Sequence, residues 1–586
     1  MHVIATAGHV DHGKSTLVEA LTGADPDRLA EERRRGLTIE LGYCWTSWPD
    51  VGEVAFVDVP GHERFLTTML AGVGPVPAVL FVVAADDPWM PQAAEHLAAL
   101  DALGVRHAVI AVTRADLTDP GPAAAQATAE IARTGLAGAR VVAVSGHTGM
   151  GLDDLRSALV TMVAELPDPD PDADVRLWVD RRFTVRGAGT VVTGTLPAGT
   201  VRVGDTLVVR NTLAVDDTPV RVRGVQALGS DETAVSGVAR VALNLSGRVD
   251  DVVRGSVLVT PGAWHHTSVV DVRITGTDRP PLAPVLHIGA VDVAVRCRPL
   301  GDDLVRLTLD RALPLRIGDR ALLRDPGRRM IWRADVLDPD PPRLRRRGAA
   351  TRRARQLAGA DGTARLTDEL GRRGLLHREQ LRRLGIPEEA GDHLAVGPWL
   401  VAPALARAVA DRLPALVQQH ARAHPLDPAV PLTVLASQLR LPTPDLVREL
   451  VRLPLRVVGG RVSGPATEVL PSKVRTAVDV VRRDLLAAPF VAPTADRLRE
   501  LGLDDRALGA ADRSGQLWRV GPGIVLLPDA ADAAVARLRE LEQPFTTSAA
   551  RERLGTTRRV VLPLLDQLDR AGRTRRLADD RREVAR

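Results

Sequence analysis

The sequence predicts a multidomain chain in which an α/β domain is followed by two antiparallel β-barrels and then by tandem winged-helix (α+β) modules. Three observations support this order. Short apolar runs alternate with helical stretches near the N-terminus, valine and arginine alternate with period two between about 174 and 340, and glycine-containing apolar hairpins recur after residue 349. At 586 residues the chain also exceeds the length of about 250–300 at which one hydrophobic core stops growing.

Composition excludes several classes of protein. Cys44 and Cys297 are the only cysteines, so neither a disulfide scaffold nor a cysteine-based zinc site is expected. The longest apolar run, 78–85, is too short to cross a bilayer. A glycine-rich loop already begins at residue 8, which leaves no room for a signal peptide. We therefore expect a cytoplasmic protein that does not contact membranes.

The glycine-rich loop follows a predicted strand, precedes a helix and matches the pattern G-x-x-x-x-G-K-[ST], which is typical of phosphate-binding loops. Its backbone N–H groups are predicted to bind phosphate, with Lys14 reaching the β- and γ-phosphates and the Ser15 hydroxyl binding Mg²⁺. Of 77 lysines and arginines, only Lys14 and Lys473 are lysines, which favours a specific need for an ammonium here. The loop consists of Gly8, His9, Val10, Asp11, His12, Gly13, Lys14, Ser15 and Thr16.

Three further candidates follow the predicted strand 54–57. Asp58 fits an aspartate that holds Mg²⁺ through water, and Gly61 can direct its N–H to the terminal phosphate. His62 can orient the attacking water, because phosphoryl transfer depends mainly on positioning. Thr38, between the two motifs, suits a switch residue whose hydroxyl completes the Mg²⁺ coordination only when the terminal phosphate is present.

The remaining strand ends predict which base is bound. Asp116, in the segment Thr113-Arg114-Ala115-Asp116, can accept hydrogen bonds from guanine N1–H and N2–H₂, which adenine cannot offer. Ser145 and Gly146 follow the last strand and would contact the guanine O6 through their backbone. Residues 1–170 are therefore predicted to form a P-loop GTPase domain with GTP and Mg²⁺ as cofactors.

Together these motifs resemble those of the translational GTPases, and more narrowly of the bacterial selenocysteine-specific elongation factors. The resemblance rests on the segments 8–15, 36–39 and 58–63, and on Met90-Pro91-Gln92 with Glu95-His96. Two positions depart from the usual Asn-Lys-x-Asp motif of these GTPases. Thr113 replaces the asparagine, as in the selenocysteine branch, and Arg114 replaces the lysine, which we expect to weaken binding modestly because both side chains offer an aliphatic stem to the base.

The resemblance also assigns roles to the two barrels, predicted at 174–260 and 262–340. In the selenocysteine branch an aspartate–arginine pair, here Asp180 and Arg181, faces the aminoacyl group together with a strand arginine, here Arg240. Tyr43 is a further candidate for this pocket. Guanidinium groups would favour an ionised selenol and leave serine beside unneutralised charge, whereas the plain alternative is an unremarkable surface ion pair. The second barrel is predicted to contact tRNA.

The region after the stretch 338–348, which is rich in proline and then arginine, is predicted to hold four winged helices. Helical pieces there are followed by hairpins around Gly397, Gly459, Gly521 and Gly572, at intervals of 62, 62 and 51 residues. The resemblance implies the same array, which other elongation factors lack. The predicted modules are 349–406, 407–466, 470–528 and 529–586.

The last module is the candidate for RNA binding. From Pro544 to Arg586 there are 11 arginines against 6 acidic residues, a net charge of +5, compared with +4 for the whole chain. The predicted recognition helix is 557–570, and the arginines expected to face phosphates are Arg558, Arg559, Arg573, Arg575 and Arg576.

Two functions fit these patterns. The first is GTP-dependent delivery of selenocysteinyl-tRNA to the ribosome at recoded UGA codons, by a monomer that also binds an mRNA hairpin. The alternative is a GTP-switched nucleic-acid-binding regulator without tRNA cargo. The residues Asp180, Arg181 and Arg240 favour the first.

Overall fold

The computed structural model describes residues 1–26, 38, 40–62, 65–87, 89–187, 189–210, 218–276, 278, 280–325, 327–328, 330–464 and 470–585. These residues form two compact units, Met1–Gly391 and Asp392–Arg586. The division does not fall in the stretch 338–348 but inside the first predicted winged helix. None of the helices described is long and apolar enough to cross a membrane.

A six-stranded sheet forms the core of the N-terminal domain, in the order β2-β3-β1-β4-β5-β6. All pairings are parallel except that of β2 with β3, and this antiparallel edge strand was not anticipated from the sequence. Two separate hydrophobic cores contain residues of these strands, which confirms the predicted α/β layers. The elements are β1 (His2–Gly8), α1 (Lys14–Thr22), β2 (Gly42–Trp48), β3 (Gly52–Asp58), α2 (Leu66–Val73), β4 (Ala78–Ala84), α3 (Pro91–Leu103), β5 (His107–Thr113), α4 (Gly121–Ile131), β6 (Arg140–Ala143) and α5 (Leu152–Ala164).

Two antiparallel β-domains follow, but only the second is a closed barrel. The first is a half-barrel: its eight-stranded sheet runs β7-β16-β11-β12-β15-β9-β8 with β13 beside β12, and β10 pairs with β14. The second closes in the order β17-β20-β19-β18-β21-β22. The strands are β7 (Arg176–Trp178), β8 (Arg181–Val185), β9 (Gly189–Leu196), β10 (Thr200–Arg202), β11 (Thr206–Arg210), β12 (Thr218–Ala227), β13 (Ser230–Glu232), β14 (Ala234–Ser236), β15 (Ala239–Gly247), β16 (Val257–Val259), β17 (His265–Thr275), β18 (Val285–Ile288), β19 (Val291–Pro299), β20 (Leu304–Leu315), β21 (Arg320–Asp325) and β22 (Met330–Asp338).

A buried ionic network fixes the next helices to the closed barrel. Asp271 accepts from Arg306 (Nε–Oδ1 2.6 Å) and from Arg353 (Nε–Oδ2 2.7 Å). Arg353 also pairs with Asp338, which in turn pairs with Arg373. Buried charges must be paired to be tolerated, so the start of the stretch 338–348 is anchored to the barrel here. The elements concerned are α6 (Ala349–Leu357), α7 (Leu366–Arg373), β23 (Leu375–His377) and α8 (Arg378–Leu384).

The C-terminal unit consists of helices interspersed with hairpins, as predicted. Glycines form the turns of the first three hairpins. Gly572 was wrongly placed in the fourth, because it lies between α17 and β31 while the hairpin turn is formed by 577–581. The interval from Gly521 to Gly572 is shorter than the others, 51 residues, because Gly572 precedes the hairpin instead of forming its turn. The elements are β24 (Leu394–Val396), β25 (Trp399–Val401), α9 (Pro403–Ala423), β26 (Val430–Pro431), α10 (Leu432–Leu439), α11 (Pro444–Leu450), β27 (Arg456–Val458), β28 (Arg461–Ser463), α12 (Ser472–Ala487), α13 (Ala495–Glu500), α14 (Asp505–Arg513), β29 (Trp518–Gly521), β30 (Ile524–Leu526), α15 (Ala530–Leu538), α16 (Thr547–Leu554), α17 (Arg558–Arg570), β31 (Thr574–Arg576) and β32 (Arg582–Val584).

The regions predicted as the third and fourth winged helices share one hydrophobic core. Phe490 and Val520 belong to the same buried cluster as Val560 and Leu564. A Cβ on Gly521 would lie 3.3 Å from the Pro563 Cβ, so α17 packs directly against the preceding hairpin. Removing residues after 528 would therefore expose the core of the module that remains.

Leu564→Ala tests this shared core. Leu564 is fully buried, so we expect a loss of about 2–5 kcal/mol of stability together with faster hydrogen exchange in both 472–526 and 530–584. Leu562→Ala is the matched control, because Leu562 lies on the same helix but is 37% exposed and should have little effect. Faster exchange in 530–584 alone would contradict a common core.

Candidate functional site

The phosphate-binding loop lies where the sequence placed it, between β1 and α1. Gly8 has a φ of 129°, and a Cβ there would lie 2.1 Å from the Val82 carbonyl oxygen, so only glycine fits. Asp11 and Gly13 also have positive φ, 63° and 80°, which curls the backbone. The buried Lys14 ammonium donates to the carbonyl oxygens of His9 (2.6 Å) and Gly8 (3.3 Å) and is thereby held across the loop.

Three oxygen-bearing side chains proposed as magnesium ligands converge beside the loop. The Ser15 hydroxyl donates to the Asp58 carboxylate (2.7 Å) and lies 3.1 Å from the Thr38 hydroxyl oxygen. Complete burial raises the pKa of the Asp58 carboxyl, although Lys14 and hydrogen bonds from Thr6 and the other two hydroxyls oppose this rise. Because hard cations prefer oxygen ligands, this donor set fits Mg²⁺.

Gly61 lies against the phosphate-binding loop. A Cβ on Gly61 would be 2.5 Å from the Val10 backbone nitrogen and 2.7 Å from the Lys14 Nζ, so a larger residue would displace the loop. His62, the proposed catalytic residue, follows directly and is half-buried. Its ring lies 6.1 Å from that of Phe65, edge to face. The two residues after His62 lie outside the described residues.

The base-side residues assemble at the ends of β5 and β6. The Thr113 hydroxyl donates to the carbonyl oxygen of His12 (2.8 Å), which ties this segment to the phosphate-binding loop. Arg114 also joins the loop, because its guanidinium donates to the Asp11 carbonyl oxygen and to both oxygens of Asp86 (2.9 and 3.1 Å). Asp116 is exposed.

Of the two predicted base-contacting residues that follow β6, Ser145 is buried and Gly146 half-buried. The Ser145 hydroxyl accepts from the Thr148 N–H (3.1 Å), which organises the turn. A Cβ on Gly146 would lie 3.4 Å from the Thr16 carbonyl oxygen, which places this turn beside the end of the phosphate-binding loop.

Two residues outside the loop, Asp87 and His96, support it and were not assigned a role from the sequence. His12 Nε2 lies 3.1 Å from Asp87 Oδ2, and the His9 and His12 rings are 4.9 Å apart. On the other side, His96 Nδ1 accepts from the Gly8 N–H (3.1 Å), and burial lowers its pKa to about 3, so it stays neutral. His96 lies in the segment that carried the family resemblance, which was the available signal.

The predicted cargo residues line a cleft between the GTPase domain and the half-barrel. Tyr43, Arg181 and Arg240 all line one cavity of about 250 Å³. Asp180 lines an adjoining cavity of about 420 Å³ together with Arg181. Asp180 and Arg240 are buried and form a bidentate pair, with Arg240 Nη2 donating to Asp180 Oδ1 (2.8 Å) and its Nη1 to Oδ2.

Thr193 contacts both residues of this ion pair and was not identified from the sequence. Its hydroxyl donates to Asp180 Oδ1 (2.8 Å), and Arg240 Nη2 lies 3.5 Å from the same hydroxyl. Thr193 pairs with Arg181 in the β8–β9 register, so its position could have been found from strand alternation. Asp180 therefore neutralises the charge of the Arg240 guanidinium and fixes its orientation.

The five arginines predicted to face RNA are mostly engaged within the protein. Arg559 donates to the backbone carbonyl of Pro493 (2.7 Å), so it joins the two modules of the shared core. Arg573, just before the final hairpin, and Arg575 and Arg576 on it form exposed ion pairs with Asp532, Glu583 and Asp580 respectively. Exposed pairs are weak and can be exchanged for phosphates. Arg558 is exposed at the start of α17.

Comparison with known proteins agrees with this architecture. Residues 1–165 match the family model of the elongation factor Tu GTP binding domain, and residues 536–582 match that of the elongation factor SelB winged helix. The chain is 33% identical over 621 residues to the selenocysteine-specific elongation factor of Escherichia coli strain K12, which covers 99% of this chain and 98% of that protein. The corresponding factor of Desulfomicrobium baculatum is 34% identical over 397 residues, 64% of this chain and 62% of that protein.

A solved structure supports the fold over the whole length. The crystal structure of a bacterial selenocysteine-specific elongation factor EF-Sec superposes with a TM-score of 0.79, covers 100% of both chains and is 24% identical.

A GTP-binding domain joined to a half-barrel, a closed barrel and winged helices defines a translational GTPase. The full-length relationship at 33% identity is more specific than that class. The chain belongs to the family of selenocysteine-specific elongation factors.

His96 should make the GTPase domain sensitive to acid. The unfolded chain binds a proton to this histidine near pH 6.5, but the folded chain does so only near 3, so stability is full above 6.5 and falls as the pH is lowered. Between pH 7 and 5 we expect a loss of about 2 kcal/mol. Urea unfolding of the nucleotide-free chain and of His96→Gln at both pH values measures it. An equal loss in the variant would contradict this assignment.

Proposed function

We propose that this chain delivers selenocysteinyl-tRNA to the ribosome at recoded UGA codons in its GTP-bound state, while its C-terminal winged helices bind an mRNA hairpin. The observation that carries the proposal is the cleft in which Tyr43, Arg181 and Arg240 meet, directly beside the segment that reaches the magnesium site. The names of its relatives support the cargo assignment.

The proposed hydrolysis depends on positioning. The loop N–H groups and Lys14 would hold the phosphates, and Ser15, Thr38 and Asp58 would hold Mg²⁺, which neutralises phosphate charge. Gly61 would hold the terminal phosphate through its N–H. His62 would then orient the water for in-line attack, and Asp116 would select guanine with Thr113 and Arg114 fixing its segment to the loop.

The proposed cargo selection uses charge. A selenol ionises near neutral pH, whereas the serine hydroxyl does not. Arg181 and Arg240 would favour the selenolate, and Asp180 with Thr193 would hold Arg240 in place. Arg240 is already neutralised by Asp180, so serine would not strand its charge. Serine would instead lack the attraction to these guanidinium groups that the selenolate gains, and would bind more weakly.

A binding assay with selenocysteinyl-, seryl- and uncharged tRNA tests the function directly. Arg240→Ala should weaken selenocysteinyl-tRNA binding at least about tenfold while changing seryl-tRNA binding little, because only the ionised selenol gains from the guanidinium. Arg221→Ala, a change on β12 of the same half-barrel outside the lining of either cleft cavity, serves as control. Equal losses for both cargoes would show that Arg240 acts on folding or on the tRNA backbone.

His62→Ala should leave GTP affinity intact and lower ribosome-stimulated turnover by at least about 10²-fold, as loss of a water-positioning group would. Single-turnover hydrolysis on ribosomes measures this effect. His107, a half-buried histidine at the start of β5, provides a histidine-to-alanine control in the same domain. Turnover near that of the unmodified chain would rule out the proposed role of His62.

The mRNA contact is proposed on the final module. Arg575→Ala and Arg576→Ala should each lower the salt slope of hairpin affinity by about 0.7–0.9 if each arginine exchanges its carboxylate partner for a phosphate. Arg499→Ala, in an exposed ion pair with Asp496 of the preceding module, is the control. An unchanged slope in both hairpin variants would place the RNA site elsewhere.

A further inference from the structure

The cargo cleft and the magnesium site are joined by one short segment of the GTPase domain. Residues 38, 40 and 41 are here called the switch link. At one end the Thr38 hydroxyl oxygen is 3.1 Å from that of Ser15. Just beyond the other end, Gly42 pairs with Asp58, and a Cβ on Gly42 would lie 3.1 Å from the Asp58 Cβ. Two proposed magnesium ligands therefore hold the switch link, Ser15 at one end and Asp58 at the other.

Between these ends the switch link holds a cargo arginine of the next domain. Arg181 Nη1 lies 3.2 Å from Glu40 Oε2, and Arg181 Nη2 donates to the Leu41 carbonyl oxygen. All three residues line the same cavity. The guanidinium is therefore oriented from the GTPase domain, whereas Arg240 is oriented from within the half-barrel by Asp180 and Thr193.

The contact is better suited to positioning than to stability. The Arg181 and Glu40 side chains are 35% and 46% exposed, and ion pairs that exposed contribute little to folding. Their geometry nevertheless fixes where a flexible arginine points. Two guanidinium hydrogen-bonding directions are set by the Glu40 carboxylate and the Leu41 backbone carbonyl, both of which belong to the switch link.

A second contact links the same cleft to the other side of the nucleotide site. Arg254 Nη2 donates to the Thr68 hydroxyl (2.9 Å), and Thr68 lies on α2, which follows Gly61 and His62. Both side chains line the cavity that contains Glu40 and Arg181. The half-barrel therefore contacts the segments on both sides of the phosphate-binding loop.

We propose that Glu40 is a positioning residue that couples the nucleotide state to amino-acid selection, by holding Arg181 toward the selenolate only when Thr38 is bound at the magnesium site. This inference rests on the proposed function. A ligand shifts an equilibrium only as far as it distinguishes the two states. Glu40 supplies that difference, because its carboxylate is placed by the GTP-dependent segment and contacts a residue that faces the cargo.

The test is a double-mutant cycle in the full-length chain. Affinities for selenocysteinyl-tRNA and seryl-tRNA are measured with GTP and with GDP, in the unmodified chain, in Glu40→Gln, in Arg181→Ala and in the double variant. Glu40→Gln keeps the size of the side chain and removes its charge. Glu130→Gln, at a half-buried glutamate on α4, is the matched control.

We expect Glu40→Gln to lower selenocysteinyl-tRNA affinity at least about fivefold with GTP and to leave seryl-tRNA affinity and all GDP-state affinities unchanged. In the Arg181→Ala background it should have no further effect. By reciprocity, the factor by which selenocysteinyl-tRNA raises GTP affinity should fall equally, an effect that general destabilisation would not produce.

Wild-type coupling in Glu40→Gln, or effects of the two substitutions that simply add, would overturn the inference while leaving the proposed function standing. Failure of the unmodified chain to distinguish the two tRNAs would instead overturn the proposed function and this inference with it.

Discussion

The buried Asp58 carboxylate is the constraint around which the GTPase domain is arranged. A charge removed from water must be compensated, and burial alone raises the pKa of this group. Compensation comes from four groups: Lys14 across the phosphate-binding loop, Thr6 on β1 (2.6 Å), Ser15 at the start of α1 (2.7 Å) and the Thr38 hydroxyl. These contacts place one strand end, the loop and the switch threonine within a few ångströms of each other.

Arginine connects the parts of the first unit. Arg324 on β21 pairs with Glu95 on α3 (2.8 Å), the residue before His96, so one helix contacts both the phosphate-binding loop and the closed barrel. Arg382 on α8 pairs with Asp174, next to the half-barrel (2.6 Å). With lysine almost absent, the planar guanidinium, which offers several donors at once, makes these junctions.

The energetic weight of these pairs depends on their burial. The network of Asp271, Arg306 and Arg353 is almost fully buried, and removal of one partner would strand a charge. The pairs of the final hairpin are exposed and contribute little, so those arginines can change partners. Arginine pairs therefore fix domains in one part of the molecule and can be exchanged in another.

Much of this architecture was determined by local sequence. The phosphate-binding loop, the strand-end aspartates and the periodic hairpins depend on residues close together in the chain, where glycine, period-two alternation and helix periodicity act directly. Tertiary structure alone decided the rest. The contact of Glu40 with Arg181 and the core shared across residue 528 join positions up to about 140 residues apart. The physical reason is that the partner of a side chain depends on how separate elements pack against each other. Local patterns of charge or hydrophobicity do not specify which distant element that will be.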